Sequence, residues 1–211
     1  AGSDDGLVHL TKDGGQNWAN VTPPNVPDGI VNSIEVSPHD PATAYVVIMR
    51  YKSMDFANYI YKTTDYGKTW KNITNGIPQG AFTRVVREDD VQKDLLYAGT
   101  ELGMYISWNG GQQWQSFQLN LPVVPITDLV VKHGDLVVAT MGRSFWVLDD
   151  LGMIRQYKNK TADVQLYEPE DTYLVSGGSP LNSNSGKGTD VLYGVNPATG
   201  VVIYYHLREM K

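Results

Sequence analysis

Short apolar runs separated by clusters of Gly, Asp, Asn and Pro form the dominant pattern along this chain. Runs of this length, rich in Val, Ile and Tyr and bounded by turn residues, predict strands rather than helices. From Ile30 the expected order is a strand over 30–36, a turn over 37–41, a strand over 44–49 and a polar-aromatic insertion from Arg50 to Asn58. A strand over 59–63 follows, then another from Trp70. The same four-stranded meander returns with strands at 83–87, 95–99 and 104–107 and one beginning at Trp114, and again at 127–132, 136–140 and 144–148. An extended run over 6–11 precedes the first full meander. The Pro-rich stretch between them, 21–29, cannot join a ladder and marks a boundary.

One turn recurs inside this pattern. Thr11, Asp13, Gly15 and Trp18 stand at the same spacing as Thr63, Asp65, Gly67 and Trp70, and as Ser107, Asn109, Gly111 and Trp114. The chemistry suits a tight connection between strands: a short carboxylate or amide accepts turn N–H groups, Gly adopts positive φ, and Trp re-enters the apolar layer. A fourth copy has lost its ends, with Leu148 in place of the hydroxyl and Arg155 in place of Trp. Aligned to the previous repeat without a gap, it puts Val138 on Tyr97 and Asp150 on Asn109. The spacings from Asp13 to Asp65, Asn109 and Asp150 are then 52, 44 and 41 residues. Four-stranded units at such periods predict an all-β fold, a partial β-propeller of meander blades.

The turn pattern, Ser/Thr-x-Asp-x-Gly-x-x-Trp, resembles the Asp box of the bacterial neuraminidase repeat (BNR) propellers, a group that includes sialidases, xyloglucanases and sortilin-like domains. The stretches 4–9, 95–103 and 142–150 look most like the large sortilin-like BNR-repeat glycosyl hydrolases. The resemblance covers about residues 1–155. It implies that 1–155 holds about three blades and a partial one and that 196–211 is the first strand of a following β-sandwich or a closing strand, while the Gly/Ser/Asn-rich composition between them reads 156–195 as a flexible tail. It also implies a piece of a larger secreted or periplasmic protein. Closed propellers have typically 4–8 blades, so either further blades lie on other sequence or copies associate to cover the open edges.

A net charge of −6 with no Lys/Arg cluster argues against nucleic acid as a partner. Cys is absent, and the four His residues lack ligand spacing, so neither disulfides nor a metal centre is expected. No cofactor is expected, and no apolar run approaches a membrane span. The sequons at Asn20, Asn72 and Asn159 and the phosphate-loop-like stretch 185–189 are read as chance and linker, the latter because Gly188 follows Lys187 where Ser or Thr is required.

The repeated turns connect the third and fourth strands of each meander, so they share one rim with the turns at 37–41 and 88–94. The connections at 50–58, 101–102 and 141–143 share the opposite rim. The turn residues are read as structural, with their Trp side chains in the core. Candidates for binding carbohydrate or peptide are Arg50, Tyr51, Tyr59, Glu101 and Arg143 on the opposite rim. Glycoside hydrolysis needs two carboxylates across one bond, and Asp55 with Glu101 is the pair this rim offers. Arg143 is a possible ionic partner for Glu101. Sialidase chemistry would need an arginine cluster, and Arg50, Arg84, Arg87 and Arg143 stand outside any sialidase motif. The expected role is a scaffold or interaction surface. The alternatives are part of a glycoside hydrolase cleft and sortilin-like peptide binding.

Overall fold

A computed structural model describes residues 1–26, 28–157, 163–172 and 200–208. It divides into two compact units, Ala1–Leu148 and Asp149–Lys211.

The first unit is built from antiparallel meanders. A short hairpin pairs β1 (His9–Leu10) with β2 (Ala19–Asn20), and Gly2 bridges Val8 on the other edge. Next come two four-stranded sheets: β3 (Ile30–Val36), β4 (Ala44–Arg50), β5 (Asp55–Thr63) and β6 (Lys71–Asn72), then β7 (Thr83–Glu88), β8 (Leu96–Thr100), β9 (Gly103–Ser107) and β10 (Gln115–Ser116). A three-stranded sheet follows from β11 (Ile126–Lys132), β12 (Asp135–Thr140) and β13 (Phe145–Leu148). In each sheet the strands lie in chain order. These are the blades of a partial β-propeller, numbered 1 to 4 below.

Strand alternation gives every blade two faces, and the interfaces between blades are where those faces meet. Between blades 2 and 3, Tyr45, Val47 and Ile60 meet Val86, Leu96 and Ala98, and Trp114 and Ile73 close the layer at its outer end. Between blades 1 and 2, Val8 packs with Val46 and Ile48, and Val21 and Trp70 sit over them.

Two expectations are corrected. The insertion at Arg50 to Asn58 is partly sheet: Arg50 ends one strand, and Asp55 to Asn58 belong to the next. β5 begins at Asp55, directly opposite Arg50, and one 3-10 turn, Tyr51–Ser53, joins the strands through Met54 at φ 59°. The Arg50–Asp55 ion pair and the Tyr59 hydroxyl donated to Asp55 hold this extension closed.

The gapless alignment of the last two repeats is also wrong by one residue in β12. The ladders place Tyr97 opposite Ile106 and Val137 opposite Val147, so Tyr97 corresponds to Val137 rather than Val138. The connection over 141–144 is longer than that over 101–102, and a one-residue slip exchanges the faces of a strand. The fourth copy of the turn, read from the sequence as having lost its ends, leads into a helix. Residues Gly152–Gln156 form a helix, α1, and the Gly152 N–H bonds Asp150 Oδ1 at 2.8 Å. Leu148 has no hydroxyl to receive that N–H, so the hub that organises the other three copies is missing.

In the second unit β14 (Val164–Leu166) pairs antiparallel with β15 (Tyr205–Leu207). The Gly/Ser/Asn-rich stretch 176–188, the phosphate-loop-like stretch 185–189, the sequon at Asn159 and the turn at 196–199 lie outside the described residues.

Candidate functional site

The repeated turns share one hydrogen-bond scheme. Thr11 Oγ1 donates to Asp13 Oδ1 at 2.8 Å and accepts from Gly15 N at 2.9 Å, while Asp13 Oδ1 accepts from Asn17 N at 2.9 Å. Thr63, Asp65, Gly67 and Thr69 repeat these bonds at 2.8, 2.9 and 2.9 Å. Ser107, Asn109, Gly111 and Gln113 do so at 2.9, 3.0 and 2.9 Å. The donated N–H of Asn17 and its side-chain amide hold Asp13 down to a pKa of about 2, and the Thr69 hydroxyl and N–H hold Asp65 at about 2. A carboxylate so saturated is a structural clasp with no capacity left for proton transfer.

The tryptophans differ. Trp114 donates its indole N–H to Ile73 O at 2.5 Å, and Trp70 donates to Val21 O at 2.8 Å. Each acceptor lies three residues past the tryptophan of the preceding copy, and the glycine of each turn abuts that residue's side chain. Trp18 has no such neighbour among the described residues. Its N–H turns back to Gly15 O at 3.0 Å and the ring is 51% exposed, against 1% for Trp114. Trp18 is therefore not a core residue.

On the opposite rim the predicted residues fall into a linked set. Asp55 Oδ1 accepts from Ala57 N at 3.0 Å, and Oδ2 receives both Arg50 and the Tyr59 hydroxyl. The Ala57 N–H leads the bonds that hold the Asp55 carboxyl below its ordinary range. Glu101 is gripped by Arg84 through Nε at 2.7 Å and a second guanidinium nitrogen at 2.6 Å. Arg84, not Arg143, is thus its partner. Arg143 is exposed, and among the described residues its guanidinium makes no ion pair.

Phe82, which no motif marked, connects the two halves. Tyr51 stacks on it with centroids 5.7 Å apart at 14°, Phe56 lies against it at 6.1 Å, and the Arg84 guanidinium covers it at 5.2 Å. The Phe82 carbonyl accepts Glu101 N at 3.0 Å. Tyr51 and Phe56 remain exposed. The rim therefore presents an aromatic pair flanked by two arginine–carboxylate clasps. The signal that could have found Phe82 and Phe56 is that both belong to the four phenylalanines of the chain and stand next to strand ends.

A second polar region lies where the first strands of blades 2, 3 and 4 run side by side, a cavity of about 400 Å³ lined by Asn32, Ser33, Arg84, Arg87, Thr127 and Asp128. Arg87 is used up there. It bonds Leu129 O and Ser33 Oγ at 2.9 Å and Asp128 at 2.8 Å, tying three blades together. Among the described residues no group of three His, Cys, Asp or Glu is placed to hold a metal, and no helix is long and apolar enough to cross a membrane.

The fold class this defines is a β-propeller segment. No family model matches the chain. It is 23% identical over 97% of its length to a probable oligoxyloglucan-reducing end-specific xyloglucanase of Neosartorya fischeri, of which it spans 29%. Similar solved structures include a GH74 enzyme of Niastella koreensis (TM-score 0.54, 18% identity, 70% of this chain and 26% of that one). The GH74 xyloglucanase from Xanthomonas campestris has a TM-score of 0.54 and 15% identity, covering 80% of this chain and 30% of that one. YCF48 bound to D1 peptide has a TM-score of 0.52 and 18% identity, covering 70% and 46%. At these identities the structural likeness establishes the propeller fold.

Proposed function

We propose that this chain is a non-catalytic segment of an Asp-box, BNR-type propeller of the xyloglucanase kind, and that it supplies scaffold and carbohydrate-binding surface to a larger secreted or periplasmic protein. The observation that carries this reading is the state of the two candidate carboxylates. A glycosidase needs one carboxylic acid held protonated and another free to act on the same bond. Asp55 is held in the opposite direction, and Glu101 is closed by a two-pronged arginine contact. What remains on the rim is a half-open aromatic stack beside fixed hydrogen-bonding groups, which suits a sugar ring laid on Tyr51 with hydroxyls reaching Arg50 and Glu101.

Calorimetric titration with xyloglucan oligosaccharides, alongside a reducing-end assay on the same sample, tests it. Binding that is lost in Tyr51→Ala with no reducing ends released is the expected result. Release of reducing ends that stops in Glu101→Gln would replace this reading with the hydrolase. Binding of extended peptides with no response to sugars would replace it with sortilin-like recognition.

A further inference from the structure

We propose that the first strands of blades 2, 3 and 4 build a second binding site, in the polar cavity of about 400 Å³ between them, and that it takes a neutral, hydroxyl-rich ligand of the size of a single sugar unit. Each of these strands carries a β-bulge, and the bulge falls at the same place in all three. β3 steps from Val31, opposite Ile48, to Ser33, opposite Val47, and leaves Asn32 out of the ladder. In the same way β7 leaves out Arg84 between Thr83 and Val85, and β11 leaves out Thr127 between Ile126 and Asp128. All three extra residues line the one cavity. A bulge interrupts regular pairing and re-aims a side chain. Here three consecutive blades re-aim a polar one to the same place.

The lining is independent of both ends of the unit, because β7 lies between β3 and β11 and every lining residue belongs to one of these strands. Bonds across the blades hold it in shape. Asn32 Nδ2 donates to Arg84 O at 2.6 Å, and Arg87 reaches Ser33 Oγ at 2.9 Å and Asp128 at 2.8 Å. Within blade 4, Thr127 Oγ1 donates to Ala139 O at 3.1 Å.

These bonds leave each re-aimed side chain one open position. Among the described residues Asn32 Oδ1 receives no donor, Arg84 spends Nε and Nη2 on Glu101 but not Nη1, and Thr127 Oγ1 keeps its capacity to accept. Two acceptors and one donor around a single cavity match a hydroxylated ring, since each hydroxyl both donates and accepts. An anion fits poorly. Arg84 and Arg87 already face the carboxylates of Glu101, Asp128 and Glu35, the last at 3.6 Å, so added negative charge meets no cationic surplus. The volume falls at the small end of the range for small-molecule sites, about 300–1,000 Å³. That the neutral ligand is a sugar rests on the carbohydrate reading above. Arg84 joins the two places, because its guanidinium also covers Phe82, on which Tyr51 stacks.

Titration of the isotope-labelled full chain with methyl β-glucoside, followed through its amide NMR signals, tests this. The Asn32 and Thr127 signals are expected to move together along one binding curve. Thr127→Val, with its fold checked by circular dichroism, is expected to weaken that curve about two- to tenfold through the lost hydroxyl. Tyr51→Ala is expected to leave both signals moving, because a single unit in the cavity does not need the aromatic stack. Asn32 and Thr127 signals that stay fixed in the wild-type chain overturn the proposal, and if those of Tyr51 and Phe56 move instead, the carbohydrate reading of the rim stands without it. An unchanged curve in Thr127→Val overturns it too, as does glucuronate binding as tightly as the glucoside. Movement at Asn32 and Thr127 with no response at Tyr51 and Phe56 would keep this site and remove the rim as a sugar surface.

Discussion

The turn ending in Trp114 and the turn ending in Trp18 make the same hydroxyl–carbonyl–amide hydrogen bonds to within a tenth of an ångström, yet one tryptophan is sealed in the core and the other lies open. The turn chemistry is local and complete in eight residues. Burial of the tryptophan belongs to the blade before it, which supplies an acceptor carbonyl and an aliphatic side chain against the turn glycine. The motif specifies a connection between two strands, and a neighbouring motif turns that connection into core.

The largest consequence falls on the sealed side. Trp114→Ala removes the ring that closes the layer between blades 2 and 3 and leaves Ile73 O without its donor, so a loss of about 3–5 kcal/mol in denaturant unfolding is expected. A loss below that range would mean that the interface collapses around the gap and that the two turns differ less than their burial indicates.

The turn glycines sharpen the same contrast. Gly111 and Gly15 both sit at positive φ, 85° and 95°, so alanine costs each about 1–2 kcal/mol in backbone conformation. A Cβ at Gly111 would also lie 2.5 Å from Ile73 Cδ1, adding about 1–3 kcal/mol of overpacking, whereas the space at Gly15 is open apart from its own Trp18. Gly111→Ala is therefore expected to be the more damaging of the two in parallel thermal melts. Equal losses would show that the cost is all backbone and that the fit to the preceding blade contributes nothing.

The strands of blades 2 and 3 and the three turns were legible because both depend on near neighbours in sequence: alternation for the strands, a side-chain hub for the turns. What failed depends on distant partners. The extension of β5 to Asp55 rests on Arg50 and Tyr59 closing around one carboxylate, and the stretch 50–58 carries too many polar residues to read as sheet. The slip in β12 follows from a longer connection to β13, which apolar alternation tolerates on both faces. Trp18 looked like core because its motif is intact, and no local signal states whether a neighbour covers it. On the candidate rim, Arg50, Tyr51, Tyr59 and Glu101 were visible as residues, while Arg84 as the clasp on Glu101 and Phe82 as the bridge emerge when blades 2 and 3 are packed together.

Acid separates the copies in another way. The folded-state pKa values of Asp13 and Asp65, about 2, lie below the ordinary 3.8. Their contribution is fully present above the unfolded value and is lost as pH falls from about 4 through about 2. Asn109 does not titrate. In an NMR titration the amide signals of Gly15 and Gly67 are expected to move in this window while that of Gly111 stays fixed. Movement of all three together would mean that acid opens the sheets rather than the clasps.

The smallest effect is expected at Trp18. Trp18→Ala removes an exposed ring whose one hydrogen bond returns to its own turn, so the stability of the isolated chain, measured at low concentration, should change by no more than about 1 kcal/mol. The same substitution at Trp114 is expected to cost several times that, although the two residues occupy the same place in the same motif. If Trp18→Ala instead lowers stability increasingly as protein concentration rises, the ring is buried between chains in solution. The contrast between the two turns would then be a property of the single chain.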